Sequence, residues 1–236
     1  MCTVSFVSSQ DKIIITSNRD EKVIRPTAIP PKEHTINGKS IFFPKDPKAG
    51  GTWFAVDVYG TVLVLLNGAE EKHEVKLPYR KSRGLIVLDI ISSESPKDFW
   101  SQIDLENIEP FTLILYQNSK LFQLRWNGNQ KESISLPLDK KHIWSSVTLY
   151  PKEIRAKRSD WFYTFLDQNP AISETELLTF HRYTEEGNQE NGLVINRQEA
   201  MKTLSITQCA IENNKVVILH SDLIAKEDFN TSFITV

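Results

Sequence analysis

Five short β-rich runs follow one another within the first 66 residues, and that pattern limits the fold more than any other feature. They are Cys2 to Val7, Lys12 to Ser17, Ser40 to Phe43, Thr52 to Val58 and Thr61 to Leu66. Each is the length of a strand, rich in β-branched or aromatic residues, and bounded by turn formers. Ser8 to Asp11 reads as a hairpin loop, and Asn18 to Glu21 falls where the second strand is expected to end. Pro26, Pro30 and Pro31 break the next stretch into a loop. Gly50-Gly51 offers a turn free to take positive φ, Tyr59-Gly60 turns the next hairpin, and Asn67-Gly68 closes it.

The second part alternates helix and strand. Leu85, Leu88 and Ile91 recur at helical spacing and predict a helix over Ser82 to Ser92. Pro96 opens a short helix behind Ser95. Thr112 to Tyr116 and Leu121 to Trp126 read as a hairpin. Pro151 to Asp167 reads as a helix that Glu174 to Phe180 extends. Lys202 to Ile211 and Val216 to His220 read as strands turning at Asn213-Asn214. Strands, then helices, then strands suit an α+β domain whose sheets pack together under helices. The 236 residues are enough for one large domain, 1–236, with a substantial core.

Charge excludes some partners. A formal net charge of −2 gives no basic field to hold nucleic acid or an anionic membrane. No apolar run approaches the ~20 residues that cross a bilayer, and no basic and apolar leader opens the chain. Cys2 and Cys209 are too few for a disulfide framework, so a reducing, cytoplasmic setting is expected.

Cysteine stands second. Removal of Met1 would leave Cys2 with a thiol and a free α-amine on one residue. A free thiol titrates near ~8.5, and an α-amine near ~7.7–8.0 serves as a base at neutral pH. N-terminal nucleophile enzymes use this pairing for acyl transfer. The competing reading makes Cys2 a small apolar residue on a buried first strand.

Several motifs now stand in order: Met1-Cys2, Asn18-Arg19-Asp20-Glu21, Arg25-Pro26, Asp46-Pro47 before Gly50-Gly51-Thr52-Trp53, Gly60, Leu66-Asn67, and Ser82-Arg83-Gly84. With them the chain resembles the NRDE family, also called the transport and Golgi organisation family. The resemblance covers about the first ninety residues. It implies a branch of the N-terminal nucleophile superfamily and a four-layer αββα sandwich. It also implies an architecture related to choloylglycine hydrolases and penicillin V acylases, which cleave non-peptide amide bonds with an N-terminal cysteine.

The chemistry of these residues suits acyl transfer. Thiolate attack on an amide creates an oxyanion, which needs donors in a water-poor site. The Asn67 amide at a strand end is a candidate donor, and Gly68 would leave its backbone N–H approachable. Arg19 could lower the Cys2 pKa or hold a carboxylate. Asp20 could pair with the Cys2 amine. Asn18, Glu21, Trp53 and Ser146 complete the expected binding set. The alternatives are structural: an Arg–Asp turn at residues 18–21, and a plain turn at Asn67-Gly68.

Two departures stand out. The hydrolases separate the Arg and Asp by three positions, whereas Arg19 and Asp20 are adjacent. Adjacent strand residues face opposite ways, so without a bulge Arg19 shares a face with Glu21. Family members carry a Ser-Asn pair before a Pro-containing turn, where this chain has Ser145-Ser146 before Pro151, so Ser146 stands for the Asn. Either Arg155 or Arg158 corresponds to a later basic residue.

The five histidines, His34, His73, His142, His181 and His220, show no metal-ligand spacing. A hydrolase with a cysteine nucleophile calls for no cofactor. The resemblance also carries a second reading, a non-catalytic haem or lipid trafficking protein, since family members are implicated in moving haem and in membrane homeostasis. A non-covalent haem would need an axial ligand such as Cys2 or a histidine. The ligand is then a small-molecule amide under the first reading and a hydrophobic molecule under the second.

Overall fold

Alternation in the first hairpin sorts its side chains into two layers. The computed structural model describes residues 3–9 and 11–236. The first strands are β1 (Thr3–Ser9) and β2 (Lys12–Lys22). Val4, Phe6 and Ile15 enter one apolar cluster, while Val7 and Ile14 enter another on the opposite side. The hairpin is therefore buried on both faces, which calls for a layer above and a layer below.

The chain continues through β3 (Ile29–Ile36), β4 (Lys39–Lys45), β5 (Phe54–Asp57) and β6 (Val62–Asn67). Helices α1 (Arg83–Ile91) and α2 (Pro96–Gln102) follow. Next come β7 (Phe111–Gln117), β8 (Lys120–Trp126), β9 (Lys131–Leu136) and β10 (His142–Ser145). After α3 (Lys152–Gln168) and α4 (Glu174–Tyr183), the chain closes with β11 (Asn196–Arg197), β12 (Met201–Glu212), β13 (Lys215–Asp222) and β14 (Glu227–Ile234).

One antiparallel sheet runs β10-β1-β2-β12-β13-β14, with β11 on β12; the other runs β3 to β9 in chain order. The larger apolar cluster lies between the sheets and under α1, and the smaller joins β1 and β2 to α3 and α4. This is an α+β, four-layer αββα sandwich. No helix among the described residues is long and apolar enough to cross a membrane.

Close approach explains two glycine motifs. A Cβ on Gly51 would lie 2.4 Å from the backbone carbon of Gly84, and Thr52 N–H donates to Gly84 O at 3.1 Å. Bare backbone at both positions lets the start of α1 seat against the entry to β5.

Four expectations are corrected. Residues 18–21 lie inside β2, which continues to Lys22, because β12 pairs along the whole segment. Pro30 and Pro31 sit within β3 rather than in a loop: β3 is an edge strand, and its register shifts between Ile29 and Lys32, where missing donors are tolerated. Ser8 and Ser9 belong to β1. Glu174 begins a separate helix, since Ser173 and Glu176 form a reciprocal capping box.

Candidate functional site

Residues 18–21 of β2 serve two different layers. Arg19 and Glu21 face the second sheet and line a cavity of about 660 Å³. Asn18 faces the helices, and Asp20 shares that face by alternation. Both orientations follow from an unbulged β2. The register shift in this region lies on β12, between Thr203 and Ser205.

Arg19 is almost fully buried. Its guanidinium stacks 4.2 Å from the centroid of the Trp53 ring, and its Nη2 donates to Asp46 Oδ2 at 2.9 Å. Burial pushes the Arg19 pKa below its usual value, and the Asp46 carboxylate opposes that shift. Asp46 is a hub. Its Oδ1 accepts from the N–H groups of Lys48 and Ala49, and its Oδ2 also accepts from Arg25. Arg19 Nη1 and Trp53 Nε1 are buried with no hydrogen-bond partner among the described residues.

Across the strand, the polar groups are tied into the scaffold. Asn18 Nδ2 donates to the carbonyls of His181 and Leu193, at 3.1 and 2.7 Å. Its Oδ1 therefore accepts from His181 Nδ1–H at 2.6 Å. That tautomer leaves His181 Nε2 as acceptor for the Ser5 hydroxyl at 2.7 Å. The imidazole is neutral, and burial pulls its pKa down to about 3. Asp20 accepts from Tyr150 Oη at 2.6 Å and from Thr203 Oγ1 at 2.5 Å. Arg158 stacks on the Tyr150 ring at 3.6 Å and donates to Thr3 Oγ1 and to the Gly192 carbonyl.

Asn67, the last residue of β6, lines both the large cavity and a second groove of about 230 Å³. Its backbone carbonyl accepts from Ser146 Oγ at 2.8 Å, so Ser146 holds Asn67 in place. Gly68 has φ +83°, and a Cβ there would lie 2.4 Å from a methyl carbon of Val147. Its N–H donates to Pro110 O at 3.0 Å. The glycine thus supplies close packing, and its N–H is engaged rather than open to a ligand.

Of the residues singled out from sequence, Arg19, Glu21, Trp53 and Asn67 share the large cavity, and Asn67, Gly68 and Ser146 share the groove. Asn18 and Asp20 line neither. Cys2 lies outside the described residues. Between the two candidate basic residues, Arg158 reaches Thr3, the residue bonded to Cys2, while Arg155 lines the groove. Sequence reasoning gave no role to Asp46, Tyr150 or Thr203. Asp46-Pro47 stood within a motif, but the pairing of Asp46 with Arg19 spans 27 positions and leaves no local signal.

Among the described residues no group of three or more His, Cys, Asp or Glu is arranged to hold a metal. No histidine lines the large cavity or the groove, so neither offers an imidazole for haem. Cys209 is buried, and burial pushes its thiol far above the usual range, which makes it inert.

The family model Transport and Golgi organisation 2 matches residues 1–223. Two solved structures share the architecture. One is the Caenorhabditis elegans orthologue of N-acylethanolamine-hydrolyzing acid amidase, at 11% identity and TM-score 0.64, covering 88% of this chain and 92% of that one. The other is a variant of conjugated bile acid hydrolase from Clostridium perfringens, at 8% identity and TM-score 0.55, covering 98% and 92%. At these identities the likeness establishes the fold alone. No curated protein matches the chain.

Proposed function

Because the chain belongs to the Transport and Golgi organisation 2 family and has the fold of the N-terminal nucleophile hydrolases, we propose that it hydrolyses a small-molecule amide, with Cys2 as nucleophile once Met1 is removed. The observation that carries this reading is the convergence on one cavity of Arg19, Trp53 and Asn67, where the Asn67 side-chain amide has no hydrogen bond of its own among the described residues. Thr3, covalently next to Cys2, pairs with Asn18, the neighbour of Arg19.

In this mechanism the Cys2 α-amine takes the thiol proton, and the positive charge of Arg19 favours the thiolate. The sulfur attacks the amide carbon. Asn67 donates to the oxygen as negative charge develops there. The C–N bond breaks, and the leaving amine takes the proton held by the α-amine. Water then cleaves the thioester, releasing a carboxylic acid and restoring the thiol. No cofactor enters.

The test combines intact mass with turnover of a fatty-acyl amide. Hydrolysis by protein lacking Met1, abolished in Cys2→Ser and reduced in Asn67→Ala, supports the reading. Retention of Met1 in the hydrolysing protein, or unchanged turnover in Cys2→Ser, overturns it. A second reading, a carrier that holds a hydrophobic ligand uncleaved, draws on the apolar walls that Leu65, Leu77, Pro78 and Leu85 give the cavity. Haem as that ligand would show as a Soret band that persists through purification.

A further inference from the structure

We propose that the groove beyond Asn67 is a carboxylate subsite of the same ligand, with Arg155 as its charged donor. The inference rests on the reading that one small amide spans the large cavity and the groove. Three observations carry it.

First, Arg155 has no partner among the described residues. Every other arginine makes a hydrogen bond or an ion pair within the protein. Arg155 makes neither, and its Nε is buried without a hydrogen bond. The buried Nε–H is the costly donor to leave unmatched, while the partly exposed ends of the guanidinium stay open to a ligand. Second, the groove contains no acidic side chain. Its other cation, Arg125, is neutralised by Glu70 at 2.8 Å and Glu132 at 3.1 Å, which leaves Arg155 as the uncompensated charge. The large cavity differs, since each of its four arginines has a carboxylate: Arg19 has Asp46, Arg25 has Glu21, Arg83 has Glu109, and Arg80 has Asp104. Third, Asn67 borders both spaces, so a molecule whose scissile amide lies at Asn67 extends to both sides. The larger, more apolar space suits an acyl chain, and the smaller polar one suits a short acidic amine portion. Arg155 also lies in the first turns of α3, whose N-terminal dipole favours an anion. A planar fork that matches a carboxylate bidentately is what Arg provides and Lys does not.

The experiment compares N-lauroylglycine with its neutral counterpart N-lauroylethanolamine, using full-length protein lacking Met1. Binding is measured by calorimetry on Cys2→Ser, with and without Arg155→Gln, and turnover on the protein with Cys2 intact. The proposal expects N-lauroylglycine to bind at least tenfold tighter than N-lauroylethanolamine. Arg155→Gln should erase that preference while changing affinity for the neutral ligand by less than twofold, and Arg155→Lys should restore it only in part. Equal affinity for the two ligands, or an equal loss for both in Arg155→Gln, overturns the subsite. Arg155-dependent binding of N-lauroylglycine without turnover supports the subsite and counts against hydrolysis alone.

Discussion

The two faces of β2 at residues 18–21 treat polar groups in opposite ways. Toward the helices, Asn18 uses both amide donors and its oxygen within the protein, and Asp20 accepts from Tyr150 and Thr203. Toward the second sheet, Arg19 and Trp53 each keep a buried donor without a partner among the described residues, beside a cavity. Buried polar groups are normally paired, so the exceptions mark where a ligand or water completes the bonding. Among the described residues, one face of the strand pairs its polar groups within the protein, and the other leaves two donors unpaired beside a cavity.

Acid should produce the largest effect, because each face holds one buried histidine. Burial lowers His181 to about 3 and His220 to about 4, against an ordinary value of 6.5. The unfolded chain then binds more protons between those values and 6.5. Stability is full above about pH 6.5 and falls as pH drops, by about 1.4 kcal/mol per pH unit for each histidine. The His220 share is complete near pH 4, and the His181 share continues toward pH 3. Urea titrations from pH 7 to 4 check this, and a flat profile would remove both histidines from the account.

Asn18→Leu should come next. It leaves two carbonyls and the His181 Nδ1–H unpaired in the interior, an expected loss of about 3–5 kcal/mol. Denaturant unfolding measures it. A loss below about 1 kcal/mol would mean that the helix-side network is not the scaffold described.

Arg19→Met should cost less, about 1–3 kcal/mol, because Asp46 keeps Arg25 at 3.2 Å and two backbone donors. Its main effect should fall on chemistry: the Cys2 thiol pKa rises, and alkylation at neutral pH slows. A stability loss equal to that of Asn18→Leu, with unchanged alkylation, would falsify the division between the faces. The smallest change belongs to Trp53→Phe. It keeps an aromatic face for Arg19 and removes an indole N–H that has no partner among the described residues, so only the lost buried ring area should count, about 1 kcal/mol. A loss as large as that of Asn18→Leu, read by the same unfolding titration, would mean that this side chain belongs to the structural core rather than to the open face.

Much of the fold was legible in advance. The first hairpin, the β5–β6 hairpin, α1 behind Ser82 and the β12–β13 pair each carry a local signal of period, cap or turn. β9, β10 and β14 went unread: β9 is largely exposed and β10 only partly buried, and an edge strand with one wet face lacks an apolar pattern. The extent of β2 was missed for a related reason. A polar run such as residues 18–21 looks like a strand end when its partners, Thr203 and Asp46, are far away in sequence.

The sequence by itself determined the alternation that forces Arg19 and Asp20 onto opposite faces, the glycines that let β5 and α1 touch, and the motif order that names the family. Only the tertiary structure decided that Asp46 pairs with Arg19, that Ser146 holds the Asn67 backbone, and that Arg155 is left uncompensated. Period and turn chemistry act between near neighbours and are written in the local sequence. Charge pairing and orphaned donors depend on distances between residues tens of positions apart, which exist only once the two sheets have packed.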